Sequence, residues 1–247
     1  MIFVIAAKEF RTLFAAPLAW VVLAILQLIL AWMFLGQLSQ YLEVLPRLAM
    51  LANPQGMTEI VGAPVYGWAG IVLLMAVPLL TMRLFSEERR NQTLTLLLSA
   101  PVSTLDIVLG KFVGLMGFLL IAVGMVTLMA ASLALGGPLD WGLIAANALG
   151  LALLTGAFAA VGLYISNLTQ HAMIAAFASF GALLLLWMLS ALIPDPNHPL
   201  LYLSLMKHFE NLNRGLIDTA DLAYFVLFAA TFLLLTMRRL DAQRLQG

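Results

Sequence analysis

Apolar residues in this chain come in long runs, not in alternation. A helix crossing a hydrocarbon core needs about twenty such residues. Six runs meet or approach that length: Leu18 to about Leu38, Val65 to Met82, the stretch after Lys111 to near Leu135, Trp141 to Ile165, Ala172 to Ile193, and Leu222 to Met237. The fourth and fifth are divided only by Ser166-Asn167-Leu168-Thr169-Gln170-His171. Read as one segment they would be too long for a single crossing, so two spans and a tight turn are expected. Barrel strands alternate polar and apolar residues, which these runs do not. The first run is too long for a signal peptide and lacks an Ala-x-Ala-like site. The expected fold is an all-α polytopic membrane protein with six transmembrane helices, forming one domain over 1–247.

The segments between the runs carry their own periodicity. In residues 2–14, Phe3, Ala6, Phe10, Leu13 and Phe14 share one helical face, and Lys8, Arg11 and Thr12 share another. This predicts an amphipathic interfacial elbow helix over 1–16, with Pro17 opening the first span. In the 83–111 connector, Ser86 is expected to cap a helix over 86–99 with Glu87 and Glu88 in its first turn. Leu94, Leu96, Leu97 and Leu98 lead to Pro101, which blocks continuation. Ser103 and Asp106 have the spacing of a capping pair that restarts a helix. So structured and partly apolar a connector favours docking of a cytoplasmic partner over a self-contained interfacial helix. In 40–64, Leu42, Leu45 and Leu48 recur at helical spacing before the turn Asn53-Pro54-Gln55-Gly56. The 198–215 stretch is too short to cross and is expected to form an external surface or re-entrant helix. Asp218 and Asp221 are read as caps of the last span.

Composition agrees with the runs. Of 247 residues, 63% are hydrophobic and only 10% charged, against about a quarter charged in soluble domains. A soluble enzyme, a disordered chain and a basic nucleic-acid binder are excluded. There is no cysteine, hence no disulfide or thiolate chemistry. Of twelve Lys and Arg, nine (Lys8, Arg11, Arg83, Arg89, Arg90, Lys111, Arg238, Arg239 and Arg244) fall on the N-terminus, the 83–111 connector and the C-terminus. The positive-inside rule makes that side cytoplasmic, with both termini inside.

Motifs for chemistry are missing. There is no His-Glu-x-x-His, no Gly-x-Ser-x-Gly and no phosphate-binding Gly-Lys-Ser/Thr loop. His171, His198 and His208 are scattered, and His198 and His208 lack a third metal ligand. The thirteen Met are dispersed, which fits packing. The spans carry essentially no charge; Gln27, Asn147, Thr127 and Thr155 are their polar residues. Proton-coupled transporters place titratable groups there, so the energy source is expected outside the chain. The glycines of Gly110-Lys-Phe-Val-Gly114 and Gly150, Gly156 and Gly162 suit close helix packing or an oligomer interface. A secondary transporter, a non-transporting scaffold subunit and an intramembrane enzyme are the alternatives.

The connector Arg83-Leu-Phe-Ser-Glu-Glu-Arg-Arg-Asn-Gln-Thr-Leu-Thr-Leu-Leu-Leu-Ser-Ala-Pro-Val-Ser-Thr-Leu-Asp-Ile-Val-Leu-Gly-Lys-Phe resembles the signature of ABC-2 type transporter permeases, closest to the gliding-motility-associated subfamily. Lys8-Glu9-Phe10-Arg11 and the stretch His208 to Tyr224 are similar too. The family usually has Gly-Thr where this chain has Gln92-Thr93. The resemblance implies an export permease of the bacterial inner membrane, working as a pair with a second copy or a homologous permease. Two separate cytoplasmic ABC ATPase subunits would hold the ATP and Mg, leaving this chain without cofactor. It implies ATPase docking through Lys8, Arg11, Glu87, Glu88, Arg89, Arg90 and Leu94. It also implies a pathway lined by spans one, two and five, and an external helical segment containing His208, Glu210, Asn211 and Arg214. Some members also associate with a large external auxiliary protein.

Overall fold

The computed structural model describes residues 1–48, 56–93, 102–193, 195 and 198–244. Among them, six helices are long and apolar enough to cross a membrane, and the chain is an all-α polytopic membrane protein. The helices are α1 (Ile2–Ala15), α2 (Pro17–Leu48), α3 (Ala63–Thr81), α4 (Arg83–Arg90), α5 (Thr104–Ala131), α6 (Trp141–Ser166), α7 (Ala172–Leu192), α8 (Leu205–Asn213) and α9 (Thr219–Arg244). Single tighter or wider turns at Thr58–Gly62, Ser132–Leu135 and Pro199–Leu203 link them.

Local chemistry sets several boundaries. Pro17 opens α2, where its missing N–H costs nothing. Ser103 caps α5 by accepting from the Asp106 amide (3.1 Å). Asp140 caps α6 through the Leu143 amide (3.0 Å). Two boundaries differ from the sequence expectation. Helix α2 runs ten residues past Leu38 and absorbs Leu42 and Leu45, which keep the helical spacing, and it carries Pro46 inside its last turn. The turn at Asn53-Pro54 lies outside the described residues. Helix α5 begins at Thr104, directly after the expected Ser103 cap and eight residues before the apolar run of the third span, so Lys111 sits two turns inside it.

Helix α6 is the hub. It packs against α3, α5, α7, α8 and α9, and its small residues permit the close approach. Leu212 of α8 lies against Gly150, and Thr81 of α3 lies against Gly162. Without water to drive association inside a bilayer, such close contact is what holds helices together. Helices α2, α7 and α9 flank this centre and turn large apolar side chains outward, including Trp32, Phe177 and Leu227.

The Gly110–Gly114 stripe is occupied by the chain itself. Helix α1 runs along α5 in the same direction: Met1 near Asp106 (4.0 Å), Ile5 over Gly110, Ala6 and Glu9 over Gly114, Phe10 over Gly117. The stripe is therefore an intramolecular seat and not an oligomer interface. A Cβ at Gly114 would stand 2.7 Å from the Ala6 carbonyl and 2.9 Å from the Glu9 Cβ. Gly114→Val is expected to lower stability by about 1–3 kcal/mol and to expose α1 to protease. Gly124→Ala, with open space around it, is expected to keep or slightly raise the thermal unfolding midpoint.

Candidate coupling site

The parallel packing of α1 on α5 brings three charged residues from distant parts of the chain into one buried group. Lys111 of α5 is 1% exposed. Its ammonium donates to Glu9 of α1 (2.9 Å) and to Glu88 of α4 (2.7 Å), and stands 5.2 Å from the centre of the Phe85 ring. Lys8 closes the group from the surface, 3.4 Å from Glu9 and 3.9 Å from Glu88. Two cations thus balance two carboxylates, which a low-dielectric site requires. The expected faces of α1 change accordingly: Glu9 turns inward, and Phe3 is exposed.

Helix α4 is the continuation of α3. Met82 keeps helical angles between them, so the predicted capping role of Ser86 is corrected. Ser86 lies inside α4, fully buried, and its hydroxyl donates to the Met82 carbonyl. At this junction the side chain of Ser166, at the end of α6, enters the ladder. Its hydroxyl accepts from the amides of Phe85 (3.2 Å) and Ser86 (3.3 Å) and donates to the Met82 carbonyl (3.0 Å). Side-chain insertion into a helix ladder is a recognised cause of a kink. The neighbouring Asn167 accepts from the Arg89 guanidinium (2.8 Å) and donates to the Thr236 carbonyl of α9 (3.4 Å). Helix α4 is thereby tied to α1, α5, α6 and α9 at once.

Helix α4 ends at Arg90, and residues 94–99 of the expected 86–99 helix lie outside the described residues. Asn91 closes it, and Gln92 takes φ of 56°, the left-handed conformation in which glycine ends helices at no steric cost. The resemblance implies a glycine at this position, which would take that conformation without strain. Gln92→Gly is expected to raise stability by about 0.5–1 kcal/mol, read as an upward shift of the thermal midpoint.

The residues expected to dock a partner therefore divide. Lys8, Arg11, Glu87 and Arg90 are exposed, and Glu87 pairs across the helix surface with Arg83 (3.3 Å). Glu88 and Arg89 are turned inward and engaged by Lys111 and Asn167. Leu94 lies outside the described residues. Between α1, the start of α2 and α3–α4 lies a cleft of about 350 Å³, bordered by Lys8, Glu9, Arg83, Glu87 and Glu88. Lys111, Glu9, Ser166 and Asn167 were not singled out from the sequence. A lysine between glycines at packing distance, and a carboxylate beside an apolar helix face, were the available signals.

A second polar group ties α8 to α9 at the opposite end of the bundle. His208 Nδ1 faces Asp221 Oδ1 (2.5 Å) and Nε2 faces the Tyr202 carbonyl (3.1 Å). Asn211 donates to Asp221 Oδ2 (3.0 Å), and the Tyr224 ring stacks on His208 at 3.9 Å. Asp221 is therefore a buried acceptor and not the expected cap, whereas Asp218 does cap, through the Ala220 amide (3.0 Å). Glu210 and Arg214 form an exposed pair one turn apart (3.9 Å). With its side-chain amide assigned so that the nitrogen faces the two carbonyls, Asn147 donates to Asn213 (2.8 Å) and Leu212 (3.2 Å), supplying the C-terminal end of α8 with the donors it lacks.

Of the other polar residues of the spans, the two threonines serve local structure and Gln27 reaches a second helix. Thr127 and Thr155 bond back to carbonyls one turn earlier (2.8 and 2.9 Å), and the Gln27 amide reaches Met129 Sδ (3.8 Å). Among the described residues no group of three or more His, Asp or Glu is placed to hold a metal ion.

No curated protein matches the chain. The family comparison does: residues 3–243, nearly all of the six-span bundle together with α1 and α4, match the family described as ABC-2 family transporter protein, and the chain belongs to that family.

Proposed function

We propose that this chain is the permease subunit of an ATP-driven exporter in a bacterial inner membrane, of the gliding-motility-associated kind. Two copies, or one copy with a homologous permease, form the pathway, and separate cytoplasmic ATPase subunits carry ATP and Mg. The end of the bundle that holds α4 faces the cytoplasm, in keeping with its nine basic residues.

One observation carries this reading. Helix α4 keeps Arg83, Glu87 and Arg90 exposed while buried polar contacts bind its other face to α1, α5 and α6. A partner pressing on the exposed face meets an element that cannot yield alone. Closure of the ATPase subunits on ATP would displace α4 and, through the Met82 junction, α3 and the hub α6. The permease supplies no covalent step.

The test is affinity capture of the tagged chain, with the bound subunit identified by mass and quantified. Glu87→Arg with Arg90→Glu is expected to reduce recovery of a nucleotide-binding subunit about tenfold, the effect of losing roughly 1.4 kcal/mol. Glu210→Arg at the opposite end is expected to leave recovery unchanged. Undiminished recovery with the double variant contradicts docking at α4.

A further inference from the structure

Along α5, Gly114, Gly117, Ile121 and Met125 recur at intervals of three and four and form one stripe. Helix α1 covers only its first half, with Glu9 and Phe10 over the glycines. Beyond Phe14, whose ring stands 5.2 Å from that of Phe118, the stripe is bare. There a lateral cleft of about 590 Å³ opens between α2 and α5, walled by Phe14, Leu23, Leu28, Ile121 and Met125. Two polar groups of its lining are engaged: the Trp20 indole donates to the Phe14 carbonyl (2.8 Å), and the Gln27 amide nitrogen reaches Met129 Sδ, while Gln27 Oε1 has no partner among the described residues.

At the α4 end this cleft adjoins a shallower groove bordered by Phe3, Phe10, Val113 and Arg11. Phe10 and Phe14, one from each groove, lie 4.8 Å apart. Arg11 is exposed and is the one charged residue of either lining. Helical side chains lean toward the N-terminus, and the N-terminus of α1 lies at the start of α5, so the guanidinium leans outward from the bundle. From Val113, beside Arg11, to Met125 the helix rises about 18 Å at 1.5 Å per residue. Half of a hydrocarbon core is about 15 Å. The seam is thus an apolar channel one leaflet deep with a cation at headgroup level.

We propose that this seam binds one anionic phospholipid from the leaflet at the α4 end. The lipid phosphate sits on Arg11 and one acyl chain lies in the cleft between α2 and α5. Arg11 is then a lipid contact and not a contact to a docked subunit. The depth matches a chain of that leaflet, and the single cation selects the headgroup charge.

The purified chain, reconstituted in phosphatidylcholine vesicles, is probed with chain-labelled nitroxide phosphatidylglycerol or phosphatidylcholine, and the motionally restricted fraction is read by electron spin resonance. Phosphatidylglycerol is expected to associate about fivefold more strongly, the selectivity that one surface cation confers on an anionic lipid. Arg11→Gln is expected to abolish that preference, and Lys8→Gln, a neighbouring cation on α1, to retain it. Ile121→Trp, which fills the cleft at a partly exposed position, is expected to release the restricted phosphatidylglycerol while keeping Arg11. Equal association of the two lipids with the unaltered chain overturns the proposal, whatever the variants do. Equal loss with Lys8→Gln and Arg11→Gln overturns it in favour of general surface charge. Persistence of the restricted lipid in Ile121→Trp, or its loss only when the chain self-associates through α2, places the lipid elsewhere and overturns it too.

Discussion

Lys111→Met is expected to lower the stability of the chain by about 3–5 kcal/mol, because it leaves the buried Glu9 and the half-buried Glu88 with one cation fewer. Glu9 is 6% exposed, and the surviving partner, Lys8, stands at the surface. The measurement is the thermal unfolding midpoint in detergent. Adding Glu9→Gln and Glu88→Gln to Lys111→Met is expected to recover much of the loss, since the uncompensated charge, and not the missing ion pair, carries most of the cost. Lys8→Met is expected to cost under about 1 kcal/mol, as an exposed pair does. A Lys111→Met chain as stable as the unaltered one would show that the three charges do not meet in a buried site.

Ser166→Ala is expected to destabilise by about 2–4 kcal/mol, from two buried amides that lose their acceptor. Phe85 and Ser86 both donate to this one hydroxyl. The Met82 carbonyl keeps a second donor in Ser86, so its loss adds little. The distinguishing measurement is amide hydrogen exchange: protection is expected to fall at Phe85 and Ser86 and to persist in the middle of α6. An even loss along α6 would mean that Ser166 serves the stability of its own helix and not the α3–α4 junction.

These two sites show where the sequence was readable. Six crossings follow from run length, because an apolar run of that size has few other stable places. The Ser103–Asp106 cap follows from spacing, because its partners are local. Lys111 and Glu9 were not legible as a pair. They lie 102 residues apart, and a charge read along the chain looks solvated until opposite charges from other helices are known to surround it. Ser166 was hidden for the same reason: it sits in a short polar break, and its role depends on α3 passing beside it. Asp221 mimics a cap at the start of α9, and only the return of His208 from α8 turns it inward. The glycines of α5 announced close packing but not the partner, which is α1 of the same chain. Where the resemblance pointed to α4, half of the docking set is outward, and Glu88 and Arg89 are bound within the chain.

Under the proposed function, energy enters this permease from outside, through α4. The most direct measurement is ATP turnover in vesicles by the tagged chain, purified alone and purified with its captured subunit. No hydrolysis by the chain alone is expected, with hydrolysis by the assembly, and with loss of subunit and hydrolysis together in Glu87→Arg with Arg90→Glu. Hydrolysis by the chain alone, or an assembly whose turnover is indifferent to that reversal, would contradict the proposed function.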